Sequence, residues 1–130
     1  MDCPDCDTEL LAFRVPDGKR EYLPGDEPGA AICPRCLHLA PVTDPPADLP
    51  DFRTIDEAFP GEAEAAIPMA LALGLLSSLA IYRQEISVLL SDVERAGVDP
   101  LLVVDRLAIA DGVETPIDLE GRRRQLEQLL

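Results

Sequence analysis

The sequence contains no tryptophan, one histidine and one lysine, with only three phenylalanines and two tyrosines. Each scarcity excludes something. A core with so few aromatics must be filled by alanine, leucine, isoleucine and valine, which suits closely packed helices. A single histidine, His38, leaves no persuasive Ser-His-Asp or Cys-His arrangement, and no glycine-rich loop is present to cradle a phosphate. No catalytic residue is assigned, and a non-enzyme is expected. Basic residues are few, 11 against 25 acidic, for a net charge of −14. Such an excess repels polyanions and disfavours a broad nucleic-acid-binding face. No apolar run reaches the roughly 20 residues of a membrane span. The candidate, residues 67–82, is 16 residues long and contains Ser77 and Ser78.

The start of the chain lacks a basic end and an apolar stretch, carrying instead Asp2, Asp5, Asp7 and Glu9. A secretory leader is not expected, so the expected compartment is a reducing cytoplasm, where structural disulfides are rare. The acidic charge is spread evenly: 8 acidic and 4 basic groups in residues 1–42, and 15 and 7 in residues 51–130. With lysine nearly absent, this pattern points to a salt-rich cytoplasm, the alternative being an acidic protein of an ordinary mesophile. In the salt-rich setting the Debye length shrinks to about 3 Å and self-repulsion is tolerable.

What the chain does possess is two Cys-Pro-x-Cys units and no other cysteine. Cys3 and Cys6 form the first, and Cys33 and Cys36 the second. Each turn bends the backbone so that two thiolates converge, and two such turns complete a tetrahedral zinc site of four cysteines. The 26 intervening residues exceed the usual 15–20, which reads as an insertion within the module. One structural zinc ion is expected. The competing readings are two disulfides or a thioredoxin-like redox pair. The latter needs a strand before the motif, and Cys3 has two residues before it. His38 replacing a cysteine is a further alternative, requiring the chain to fold back. With four thiolates bound, the metal has no open position for water or substrate.

Three segments follow from composition. Residues 1–42 read as a small zinc-ribbon-like β module, with strands at 10–15 and 19–23 joined by a Pro16-Asp17-Gly18 turn. A second turn is expected at 24–29. Some forty residues rarely bury enough area to fold alone, so this module needs its metal. Residues 43–50, acidic and proline-rich, read as an extended linker. Residues 51–130 read as a helical domain. A short helix is expected at 51–60, stopped by Pro60 and Gly61. One long helix is expected at 68–96, with Pro68 at its first position and Gly97 as its stop. Leu71, Leu75, Leu79, Tyr82, Ile86, Leu90 and Val93 recur at steps of three or four, and the unbroken rod would be about 43 Å long. A second row, Met69, Leu73, Leu76 and Ala80, needs cover, which motivates a homodimer through this helix. Asp99-Pro100 opens another helix that ends near Asp111-Gly112, and residues 118–130 form the last. The expected fold class is α+β: the zinc-ribbon-like module followed by a helical bundle built around one long helix.

The stretches MDCPDC, PGD at 24–26, CPRC, IPMALALGLL, ERAGVDPLL and RRRQLEQLL resemble an uncharacterised haloarchaeal family, a domain of unknown function with a small CPxCG-related zinc finger at its N-terminus. The resemblance covers the whole chain. It implies zinc at Cys3, Cys6, Cys33 and Cys36 and a salt-adapted cytoplasm, and it implies no activity. The chain departs from CPxCG where Asp7 and Leu37 replace glycine. Aspartate tolerates a left-handed backbone moderately and leucine poorly, so a different geometry is expected for the second turn.

Three functions remain. The first is a zinc-stabilised interaction or adaptor protein. The second is a nucleic-acid-binding or transcription-associated zinc ribbon using Arg14, Lys19, Arg20, Arg35 and the run Arg122-Arg123-Arg124. For that run a solvated helix face beside Glu120 and Glu127 is the simpler reading. The third is an enzyme whose second turn is imperfect and leaves a cysteine free.

Overall fold

The computed structural model describes residues 1–23, 25 and 27–130. Among these residues the chain forms an antiparallel sheet of three strands, β1 (Leu11–Arg14), β2 (Gly29–Ile32) and β3 (Leu39–Val42), in the order β1-β2-β3. Four helices follow: α1 (Ala63–Leu75), α2 (Arg83–Arg95), α3 (Pro100–Ile109) and α4 (Leu119–Glu127). The class is the expected α+β. The first strand lies where the apolar run LLAFRV placed it, but its partner differs. Residues 19–23 do not return as a strand; they fall largely in a 3₁₀ helix, Asp17–Tyr22. KREYL has no apolar alternation to bury. Its Lys19 instead reaches α2, with Nζ 2.6 Å from an Asp92 carboxylate oxygen. The central strand is GAAI, buried at all four positions, and its small residues tolerate cover on both faces. Of the turn expected at 24–29, Pro24 and Asp26 lie outside the described residues.

The three phenylalanines of the chain cluster together. Phe13 of β1 meets Phe52 edge-on at 5.2 Å, and Phe52 lies 5.9 Å from Phe59. Phe52 opens a short 3₁₀ helix, Phe52–Thr54, capped by the Asp51 side chain accepting from the Arg53 N–H at 3.1 Å. This is the short helix expected at 51–60, reduced to one turn. Sheet and helices therefore meet in one hydrophobic cluster, to which Phe13, Val15, Ile32 and Leu37 contribute from one side of the proline-rich segment and α1 to α4 from the other. The segment itself packs on the sheet, with Pro45 buried beside Gly29.

The long helix at 68–96 is not formed. It is a helical hairpin: α1 ends at Leu75, Leu76–Ser78 tighten into a 3₁₀ turn, and α2 begins at Arg83. Two serines, poor helix interior residues, sit at the break. The deeper reason lies in the two halves. α1 is apolar on every side, and Ala65 through Leu73 are all buried. An unbroken rod would carry its second half away from this surface. Folded back, α2 lays Ile86, Leu89, Leu90 and Val93 onto the core. Of the expected stripe, Leu71, Leu79, Ile86, Leu90 and Val93 are buried within the chain, as are Met69, Leu73 and Leu76 of the second row. The apolar surplus that motivated a homodimer through 68–96 is thus largely covered by the chain itself. Pro68 is also not the first helical residue. Helix α1 starts at Ala63, so Pro68 sits inside it and removes the bond an N–H there would make to the Glu64 carbonyl.

The remaining helix signals hold. Gly97 takes φ +90° after α2, and Val98 N–H donates to Val93 O at 3.2 Å while Gly97 N–H donates to Glu94 O at 2.9 Å. That pair of bonds is the Schellman stop. Asp99 caps α3, accepting from the Leu101 and Leu102 N–H groups, with Pro100 at its first position. Asp118 caps α4 through Gly121. Among the described residues no helix is long and apolar enough to cross a membrane.

Gly74 joins the sheet to α1. A Cβ built there would lie 2.8 Å from the Cβ of Leu39 and 2.5 Å from its Cδ2. Gly74→Ala is expected to destabilise the chain by about 1–3 kcal/mol in denaturant titration, because β3 and α1 must separate. An unchanged midpoint would show that the contact yields freely.

Candidate metal centre

Sheet topology brings the cysteines together. The second Cys-Pro-x-Cys unit is the turn between β2 and β3, closed by the pairing Ile32↔Leu39. The first is closed in the same way by an isolated bridge, Asp2↔Glu9, just before β1. Leu11 at the start of β1 pairs with Ile32 at the end of β2, which sets both turns at one end of the sheet. All four sulfurs then lie within 4.8 Å of one another, and Cys3 Sγ is 3.7 Å from Cys36 Sγ. Metal–sulfur bonds of about 2.3 Å in a tetrahedron require sulfurs about 3.8 Å apart. A disulfide would need about 2.05 Å, and all four cysteines are free. The cluster can hold one metal ion.

The two turns repeat each other bond for bond. Asp7 N–H donates to Cys3 O at 2.9 Å and Leu37 N–H to Cys33 O at 3.0 Å. Cys3 N–H donates to Thr8 O at 2.8 Å and Cys33 N–H to His38 O at 2.9 Å. Both residues standing in place of glycine take the left-handed conformation, Asp7 at φ 54° and Leu37 at φ 67°. The expectation of a different second turn is therefore corrected. Leucine is tolerated because its side chain is 1% exposed and belongs to the main core. A left-handed residue costs about 1–2 kcal/mol, and full burial of leucine contributes about 1.5–3 kcal/mol. The balance favours leucine, and the strained residue anchors the metal turn to the helices.

The donor set suits a soft cation. The Arg35 and Cys36 amides each approach Cys33 Sγ at 3.4 Å, placing positive dipoles on it. Burial pushes the Cys36 thiol up to about 12 and raises Cys6, while the Asp5 amide lowers Cys3. His38 gives the site only its carbonyl. Its side chain is exposed and outside the cluster.

One partner of the site carries no local sequence signal. Arg35, within the second turn, donates from Nη2 and Nε to Glu114 Oε2 at 2.6 and 3.1 Å, and its carbonyl accepts from Glu114 N–H at 2.7 Å. Seventy-nine residues separate the two. The contact ties the α3–α4 connection to the metal turn. It also engages one of the arginines considered for nucleic acid. Others are engaged as well: Lys19 with Asp92, Arg20 with Asp17, and Arg123 with Asp105 and Glu127. Arg122 reaches Gln125 and the Ser77 carbonyl.

Two outcomes test this geometry. Leu37→Gly is expected to lose about 1–3 kcal/mol of stability while keeping its metal stoichiometry, because more burial is lost than strain relieved. Asp7→Gly, at an exposed position, should stay within about 1 kcal/mol of the parent. The reverse order in denaturant titration would contradict the anchoring role. Metal capture must also displace thiol protons, so affinity is expected to rise from about pH 6 to about pH 8. Calorimetry in two buffers of different ionisation enthalpy reads the protons released, and none released would contradict a thiol donor set.

No curated protein and no solved structure matches the chain. A family model does match, over residues 2–130. The chain belongs to the family of unknown function DUF6276.

Proposed function

We propose that this chain is a zinc-stabilised, non-catalytic interaction protein of a salt-adapted cytoplasm, with one structural zinc ion held by Cys3, Cys6, Cys33 and Cys36. The observation that carries this reading is the closed donor set. Four mutually adjacent sulfurs fill a tetrahedral ion's coordination and leave no position for a substrate. The N-terminal segment then works as a zinc ribbon whose metal adds to the apolar core it shares with the helices. The even acidic surface supports the salt-adapted setting. The partner is a protein, a second copy of this chain included. With α1 buried, it would meet the outer sides of α2 and α3, where Val88, Leu102 and Ile109 are exposed.

The alternative, a nucleic-acid-binding ribbon, is weakened by the arginine and lysine contacts above. Each paired cation must leave a carboxylate before it neutralises a phosphate. Retention from a lysate at molar salt separates the two readings. Metal-loaded chain is expected to retain protein, and the retention should be lost in Cys33→Ser. Nucleic acid retained in place of protein, and lost in Arg14→Ala/Arg124→Ala, would favour the alternative and overturn the interaction reading.

A further inference from the structure

The four cysteines are not equally exposed. Cys3 and Cys33 are fully buried and Cys36 is 8% exposed, whereas Cys6 is half-buried. Cys6 and Cys36 both line a cleft of about 530 Å³ between the metal turns, α1 and the α3–α4 connection, and Cys6 is the more exposed of the two. Its walls include Asp5, His38, Ser77 and Glu114. Small polar molecules therefore have a route to the cluster, where Cys6 is the most exposed cysteine. We propose that Cys6 is an oxidative modification site, at which a hydroperoxide enters through this cleft and expels the metal. The inference rests on the metal reading above.

The chemistry balances without a further reactant. Cys6 thiolate attacks one oxygen of hydrogen peroxide. The O–O bond breaks, hydroxide leaves, and Cys6 becomes a sulfenic acid. A neighbouring cysteine thiolate, never more than 4.8 Å away, attacks the Cys6 sulfur. A disulfide forms and a second hydroxide leaves. Two sulfurs have lost two electrons in total and the peroxide has gained them. The ion, left with two thiolates, dissociates. The second turn then loses the constraint that holds Leu37 in its strained conformation, and with it the footing of Glu114 on Arg35.

The test uses the full metal-loaded chain, with its zinc content measured before hydrogen peroxide is added. Zinc release is followed with a chromogenic chelator. In parallel, samples taken at low conversion are trapped with a sulfenic-acid reagent and mapped by mass spectrometry. The expected result is a first adduct at Cys6, with zinc released in step with peroxide consumed. Cys6→His keeps a fourth ligand while removing the more exposed sulfur at the cleft, and it should release zinc at least about tenfold more slowly. First adducts at Cys3, Cys33 or Cys36, adducts spread evenly, or no release under excess peroxide would each overturn the proposal. A chain that carries no zinc at the outset overturns the metal reading itself, an outcome distinct from loaded chain oxidised at the wrong sulfur.

Discussion

Two pairs of sulfurs, the farthest 33 residues apart in the chain, must converge within 4.8 Å, and the rest of the molecule answers to that requirement. The pairing of Leu11 with Ile32 sets both turns at one end of the sheet. The repeated backbone bonds give each turn the same shape. The left-handed residue that this shape demands is Leu37 in the second turn, and its side chain carries the constraint into the helical core. Sulfur cluster, turn and core are one mechanical chain.

Much of this was legible in the sequence. The four cysteines, the stop at Gly97 and the Asp99-Pro100 start are local signals, each decided by a few adjacent residues, and each is found where local chemistry put it. What was not legible depends on partners distant in sequence. The strand expected at 19–23 lost to GAAI because a central strand needs cover on both faces, and that cover comes from elsewhere, including Pro45 beside Gly29. The long helix at 68–96 satisfied every periodicity test, yet its apolar first half needed its own second half as cover. Leu37 looked like a defect in a glycine position until the core beneath it was visible. Glu114 had no signal at all, since its role exists only through Arg35.

The few cations of this acidic chain connect distant segments. Lys19 joins the 3₁₀ helix to α2, Arg35 joins the metal turn to the α3–α4 connection, and Arg123 joins α4 to α3. Exposed pairs of this kind contribute about 0–1 kcal/mol each and less in salt. Arg35 and Glu114, both exposed, therefore orient more than they stabilise. Lys19 and Asp92, more enclosed, are screened less. Stability rests mainly on the shared apolar core and the sulfur cluster.

The cysteine cluster and the helices are expected to unfold as one unit. Cobalt added to the four cysteines reports thiolate coordination by its charge-transfer absorption, and far-ultraviolet circular dichroism reports the helices. Denaturant unfolding of the cobalt-loaded chain is predicted to give coincident midpoints from both signals. Loss of the thiolate band at lower denaturant, with the helical signal intact, would contradict the account.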